Sequence, residues 1–276
     1  MIYKYLKNFL FLVTLLLVTN TLSAQDRVFA RTYQSNVLNK GNIDIEIWNT
    51  FSFGRANYYT KQKQRLEFEV GITDRLQTAF YLNNSTSTTE YKDSLSGGVK
   101  TSSAAISFSN EWKYKFSDPI ANGIGFAAYA EITAYTHEFE FETKLIFDKR
   151  INQHLYAMNL VGEFEFEAEY EQDEKKTELE NEKNKFEIDA AYMFVNGKGF
   201  GAGLELQNRN AFEEGEWKYS ALYAGPTLSF HSAKNWWLVV NFMPQISNLK
   251  KYKTKENLEL SSNEKYDLRF LFAITL

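Results

Sequence analysis

From Lys265 to the C-terminus one face of the chain is wholly apolar. Tyr266, Leu268, Phe270, Phe272, Ile274 and Leu276 are interleaved with Lys265, Asp267, Arg269, Leu271, Ala273 and Thr275. A period of two predicts a strand with one apolar face. The stretch 155–170 repeats it: Tyr156, Met158, Leu160, Gly162, Phe164, Phe166, Ala168 and Tyr170 alternate through its second half with Glu163, Glu165, Glu167 and Glu169. Ile43, Ile45 and Ile47 alternate with Asp44 and Glu46, and Leu66, Phe68, Val70 and Ile72 with Arg65, Glu67 and Glu69. Strands of soluble sandwiches usually run about 5–6 residues, whereas these run 10 to 16. Long dyad strands, apolar outside and carboxylate-rich inside, predict a membrane β-barrel.

Twelve such segments can be marked, at 41–54, 64–73, 76–87, 101–116, 123–135, 138–148, 154–170, 184–195, 199–211, 216–230, 235–248 and 263–276. Long and short gaps largely alternate, as long extracellular loops and short periplasmic turns require. The tight reversal near Thr136 breaks that alternation, as merged strands or extended hairpin arms would. The predicted fold class is all-β, a single antiparallel transmembrane β-barrel of about 12 strands, with 10–14 allowed by the pattern. An even number puts both ends in the periplasm. Tyr58, Tyr59, Trp112, Tyr114, Tyr156, Tyr170, Trp217, Tyr219, Trp236 and Trp237 fall near strand ends, where an interfacial girdle would place them.

The first 24 residues are of another kind. Lys4 and Lys7 precede an apolar run from Phe9 to Val18, and Leu22-Ser23-Ala24 ends in a small residue. This predicts a cleaved signal peptide at 1–24, its apolar core being too short to span a bilayer. Residues 25–40 then form a periplasmic N-terminal segment, and 41–276 the barrel, in a mature chain of 252 residues.

Composition adds exclusions. Thirty-one Lys and Arg against 35 Asp and Glu lack the basic excess of a nucleic-acid binder, so no nucleic-acid partner is expected. Cysteine is absent, which excludes disulfide scaffolds and cysteine-rich zinc sites. His137, His154 and His231 show no metal-pair spacing, and neither a nucleophile elbow nor a glycine-rich phosphate loop occurs. No catalytic residue, metal site or cofactor is predicted.

The stronger signal is acidic. Glu140, Glu142, Glu163, Glu165, Glu167, Glu169, Glu187 and Asp189 occupy the inner positions of three consecutive strands, towards the extracellular side. Such carboxylates must meet water or cations. They read as a cation-attracting vestibule, or as a solvated wall partly neutralised by Lys144, Lys185 and Arg209. Where strands one and twelve close the barrel, Asp44 and Glu46 are expected to meet Arg269.

Three stretches carry a resemblance: Val28-Phe29-Ala30-Arg31, Leu38-Asn39-Lys40-Gly41, and Arg65-Leu66-Glu67-Phe68-Glu69-Val70-Gly71-Ile72-Thr73-Asp74-Arg75-Leu76-Gln77. They resemble an uncharacterised family of Gram-negative outer-membrane β-barrels. The segment from Glu69 to Gln77 is loosely similar to barrels assigned as transporters in aromatic-degradation pathways. The resemblance implies a barrel in the cell outer membrane and brings no catalytic residues. Phe270, Phe272, Ile274 and Leu276 resemble the C-terminal signal read by the barrel-assembly machinery, with Leu where Phe is commonest. Outer-membrane lipid, that machinery and periplasmic chaperones are the partners implied.

Three functions follow as expectations. The first is a passive channel or transporter for small solutes with an acidic, cation-preferring lumen. The second is a non-conducting structural or surface-interaction barrel using loops 88–100, 171–183 and 249–262, and the third is an outer-membrane lipid hydrolase. A lumen continuous with water favours the first. One blocked by residues 25–40 or by large side chains favours the second, and Ser, His and a carboxylate or amide converging at the rim favour the third.

Overall fold

A computed structural model describes residues 27–276 apart from 94–96, 137, 172–175, 233–234 and 251–256, and at 91–93, 97, 169–171 and 176–178 it describes backbone alone. The predicted signal peptide and His137 lie outside the described residues, as does the side chain of Glu169.

Twelve strands form, each where alternation predicts one: β1 (Ile43–Phe53), β2 (Tyr59–Thr73), β3 (Leu76–Asp93), β4 (Gly97–Ser117), β5 (Gly125–Ala134), β6 (Glu138–Ile151), β7 (His154–Glu171), β8 (Lys176–Val195), β9 (Phe200–Glu213), β10 (Glu216–His231), β11 (Trp236–Asn248) and β12 (Tyr266–Thr275). Each is antiparallel to its neighbour, and β1 pairs with β12 to close the barrel. The reversal near Thr136 is a true hairpin between β5 and β6.

The faces follow parity. On β12, Phe270, Phe272 and Ile274 are exposed, whereas Asp267, Leu271, Ala273 and Thr275 are buried inside. Ile47, Phe68, Phe80, Phe108, Leu145, Phe186, Leu204 and Leu228 carry the apolar belt around the outside. In water so large an exposed apolar surface would drive association; in hydrocarbon it is the solvated face. At the end of the short turns the belt sets Tyr114 edge-on to Phe116 and stacks Phe116 on Phe126 and Phe126 on Phe147, with centroids 4.9, 5.0 and 5.0 Å apart. Trp112, Tyr114 and Tyr156 join this girdle as expected. Trp237, Tyr59 and Tyr219 do not, because they fall on inward parity: Trp237 is buried in the lumen, Tyr59 stacks beneath Arg55, and Tyr219 shares a face with Ala211.

Two expected loops are largely strand. β3 runs to Asp93 and β4 begins at Gly97, while β7 and β8 extend to Glu171 and from Lys176. Ser and Thr dominate the first pair of arms, so no apolar period marks them. Cross-strand hydroxyl contacts such as Ser87–Ser103 and Thr88–Ser102, at 2.8 and 2.9 Å, hold them paired.

Candidate functional site: the lumen and the strap inside it

Residues 27–42 do not stay outside the barrel wall. They fold back as an irregular strap through the lumen at the end where β1 begins, and Val28–Tyr33 are all buried. Barrel diameter grows with strand number, and eight strands are just filled by their own side chains; here the chain's leading segment adds its own buried side chains to the lumen.

One carboxylate anchors the strap's middle. Glu205 on β9 accepts the backbone N–H groups of Ala30, Arg31 and Thr32 at 2.8, 2.7 and 2.8 Å, and the Thr227 hydroxyl at 2.7 Å. Asn159 on β7 accepts the N–H of Tyr33 at 2.6 Å and donates to its carbonyl at 3.0 Å. Further along, Ser35 N–H meets Asp148 and Leu38 N–H meets Gln77. The wall's polar side chains thus satisfy backbone groups that an irregular segment could not pair alone.

Charged and apolar contacts complete the seal. Arg31 lies 3.6 Å from Asp267, and Arg269 donates to the Ala30 carbonyl at 3.0 Å. Arg27 lies 3.7 Å from Glu46, with its guanidinium 4.4 Å from the Tyr33 and Trp48 rings. Ala30 and Tyr33 join a core with Trp48, Tyr129, Ile146, Trp237 and Leu271; Val28 and Phe29 pack with Leu155, Ala157, Ala191 and Met193. Gly71 and Gly125 make room: a Cβ on the first would strike the carbonyls of Leu38 and Asn39, and one on the second Ser35 and Asp148.

The expected meeting of Asp44 and Glu46 with Arg269 does not occur. The β1–β12 register sets Asp44 opposite Thr275, Glu46 opposite Ala273 and Arg269 opposite Thr50, whose hydroxyl it meets at 2.9 Å. Register decides this, because residues six apart on one strand cannot share a rung.

Beyond the strap, towards the long arms, the lumen is less buried. Glu140, Glu142, Glu163, Glu165, Glu167 and Glu187 line it half-buried. They are substantially paired. Lys185 bridges Glu163, at 2.6 Å, and Glu165; Lys144 meets Glu142 at 2.5 Å; Gln207 donates to Glu187 at 2.7 Å. Asp189 sits deeper, fully buried on the rung opposite Asn159. Glu169 opposes Glu178 in the backbone register of the β7–β8 arms. Arg209 turns to Asp267 at 2.8 Å. Part of the β11–β12 loop covers the mouth: Gln245 donates to the Glu259 carbonyl, Tyr223 to that of Glu264, and Arg55 pairs with Glu264 at 2.6 Å.

His154 Nδ1 shares a hydrogen bond with the Tyr192 hydroxyl, and His231 Nε2 meets the Arg27 carbonyl of the strap.

A family model spans residues 21–276 of this sequence. The chain belongs to that family, a family of unknown function (DUF6662). The matched region therefore includes the strap as well as the wall. Curated proteins provide no sequence match. Among solved structures, the chain is similar to the COG4313 outer membrane channel from Pseudomonas putida F1, with a TM-score of 0.62 and 12% identity, covering 90% of this chain and 100% of that one. It is also similar to the NanC porin (TM-score 0.54, 7% identity, 84% and 100% coverage) and to the β domain of the Bordetella autotransporter BrkA (0.52, 8%, 86% and 100%). At such identities the likeness is one of fold.

Sequence reading missed Glu205, Asn159 and Gln77 as anchors. Each is a polar residue at an inward position, indistinguishable in pattern from a solvated wall.

Proposed function

We propose that this protein is an outer-membrane channel for small solutes, held closed from the periplasmic side by its own N-terminal strap. What supports a movable closure is how the strap is attached. It adds no strand to the sheet, and its middle is held by wall side chains to strap backbone, with Glu205 at the centre. Residues 27–40 can leave without breaking a backbone rung of the barrel, while Gly41 and Asn42 at the strap's end stay paired with Gly71 of β2, so opening and integrity are separable. The fold likeness to proteins named as an outer membrane channel and a porin agrees with this reading.

The outer vestibule is proposed to prefer cations. Lys185 and Lys144 neutralise part of the glutamate wall, while Glu140, Glu167 and Glu187 add negative charge in a confined mouth, where walls of low dielectric focus the field. A non-conducting barrel remains the second reading, favoured by the buried strap itself.

Planar-bilayer recording of the full chain and of a variant lacking 27–40 distinguishes them. The full chain is expected to conduct rarely and the deletion variant steadily, with a sodium-over-chloride reversal potential. A deletion variant that retains the barrel's heat-modifiable gel mobility yet never conducts would refute the channel.

A further inference from the structure

Behind the strap lies a cluster of carboxylates of which the closure engages only Glu46, through Arg27. Asp44 and Glu46 of β1, Glu67 and Glu69 of β2, and Glu111 of β4 all point inward, each at most 1% exposed. Asp44 faces Glu69 across the β1–β2 rung, and Glu46 faces Glu67. Like charges opposed in this way destabilise a sheet unless something lies between them.

The positive charge at hand falls short. Arg27 reaches Glu46 at 3.7 Å, Arg65 reaches Glu67 at 4.0 Å while also serving Glu131, and Lys113 sits one rung from Glu111. Three cations face five carboxylates, and Arg65 is shared with Glu131, so at least two negative charges are left over. Hydrogen bonds are unevenly shared as well. Trp48 donates to Glu46, Tyr81 to Glu111, and Gln77 to Glu69 and Glu111. Both oxygens of Asp44 and of Glu67, and one of Glu69, accept none. The Thr275 hydroxyl and the Trp237 indole N–H face Asp44 as its donors, but too loosely to make well-formed hydrogen bonds. A buried carboxylate with both oxygens unsatisfied is among the costliest groups a protein can hold.

We propose that Asp44, Glu46 and Glu69 hold a divalent cation, of the calcium class, at the base of the barrel beside its β1–β12 seam. One ligand oxygen from each lies within 4.8 Å of the others. Oxygens bound at about 2.4 Å to a single calcium ion stand at most about 4.8 Å apart. An all-oxygen, carboxylate set selects hard cations over zinc or copper, and two charges match the deficit. The vestibule group Glu140, Glu163 and Glu165 meets the same distance test, but Lys185 already bridges two of its members. The site does not depend on whether the barrel conducts.

The test titrates calcium chloride, and separately magnesium chloride, into the EDTA-stripped full chain in detergent by calorimetry. One saturable calcium per chain, tighter than magnesium, is expected, together with a rise in the melting temperature. Asp44→Asn with Glu69→Gln keeps shape and removes charge, and should weaken calcium by roughly tenfold or more, since ligand charge sets affinity. Glu163→Gln with Glu165→Gln should leave binding intact. Absence of saturable binding to the parent chain overturns the site regardless of how the variants fold. So does binding unchanged in the first variant or lost in the second.

Discussion

Glu205→Gln is the sharpest perturbation of the closure. The native carboxylate divides its work: one oxygen takes Ala30 N–H and the Thr227 hydroxyl, the other Arg31 and Thr32 N–H. Glutamine keeps one oxygen in place and turns an NH₂ towards two donors that have nothing else to accept them. Hydrogen bonds to a charged group contribute about 1.5–3 kcal/mol each. Losing two should cost the closed state about 3–6 kcal/mol. At about 1.4 kcal/mol per factor of ten, the open population rises roughly 10²–10⁴-fold. Single-channel recording reads this as open probability, with Glu213→Gln at the rim as the control. An open probability equal to the parent's, in a variant that folds and inserts equally well, would refute the assignment of Glu205 as the strap's anchor.

Other outcomes follow from the same geometry. Phe272→Arg places a charge in lipid near the middle of β12 and should destabilise the barrel by about 2–4 kcal/mol, read by urea titration in vesicles. Sequence alone suggests a milder loss for Ala273→Arg, but Ala273 is fully buried among Trp48, Trp237 and Leu271, so its loss should match or exceed that at Phe272. Gly71→Ala pushes a methyl group into the Leu38 and Asn39 carbonyls and should lower the melting temperature by the equivalent of about 1–3 kcal/mol, or free the strap's end to proteolysis. Lys185→Met leaves Glu163 and Glu165 unneutralised and should increase cation selectivity in a strap-deleted channel; Gln at 163, 165 and 167 should reverse that shift. Both effects should fade as the screening length falls below about 8–10 Å with added salt.

The wall was legible because a lipid-facing strand imposes one requirement at every second residue, and Phe270, Phe272 and Ile274 meet it without exception. The Ser- and Thr-rich arms of β3 and β4 rise beyond that constraint, so nothing in their hydropathy distinguishes strand from loop. The lumen was hardest to read. Glu163 and Asp44 look alike in sequence, since both are acidic and inward, yet one is bridged by Lys185 and the other is fully buried opposite Glu69. What separates them is the strap, whose position depends on contacts between residues as distant in sequence as Ala30 and Glu205. Trp237 shows the same limit: strand-end position suggests a girdle, while parity sends it into the core.

A closed barrel requires the strap to occupy the lumen in the membrane, and the absence of native cysteine allows a direct reading. Thr32 is fully buried, with its N–H on Glu205. A single Thr32→Cys variant in vesicles, challenged with a membrane-impermeant maleimide supplied both inside and outside the vesicles, should label far more slowly than a cysteine at exposed Asn122, and should label fast once Glu205→Gln is added. Thr32→Cys labelling as fast as the exposed control, in the otherwise native chain, would contradict the closed barrel.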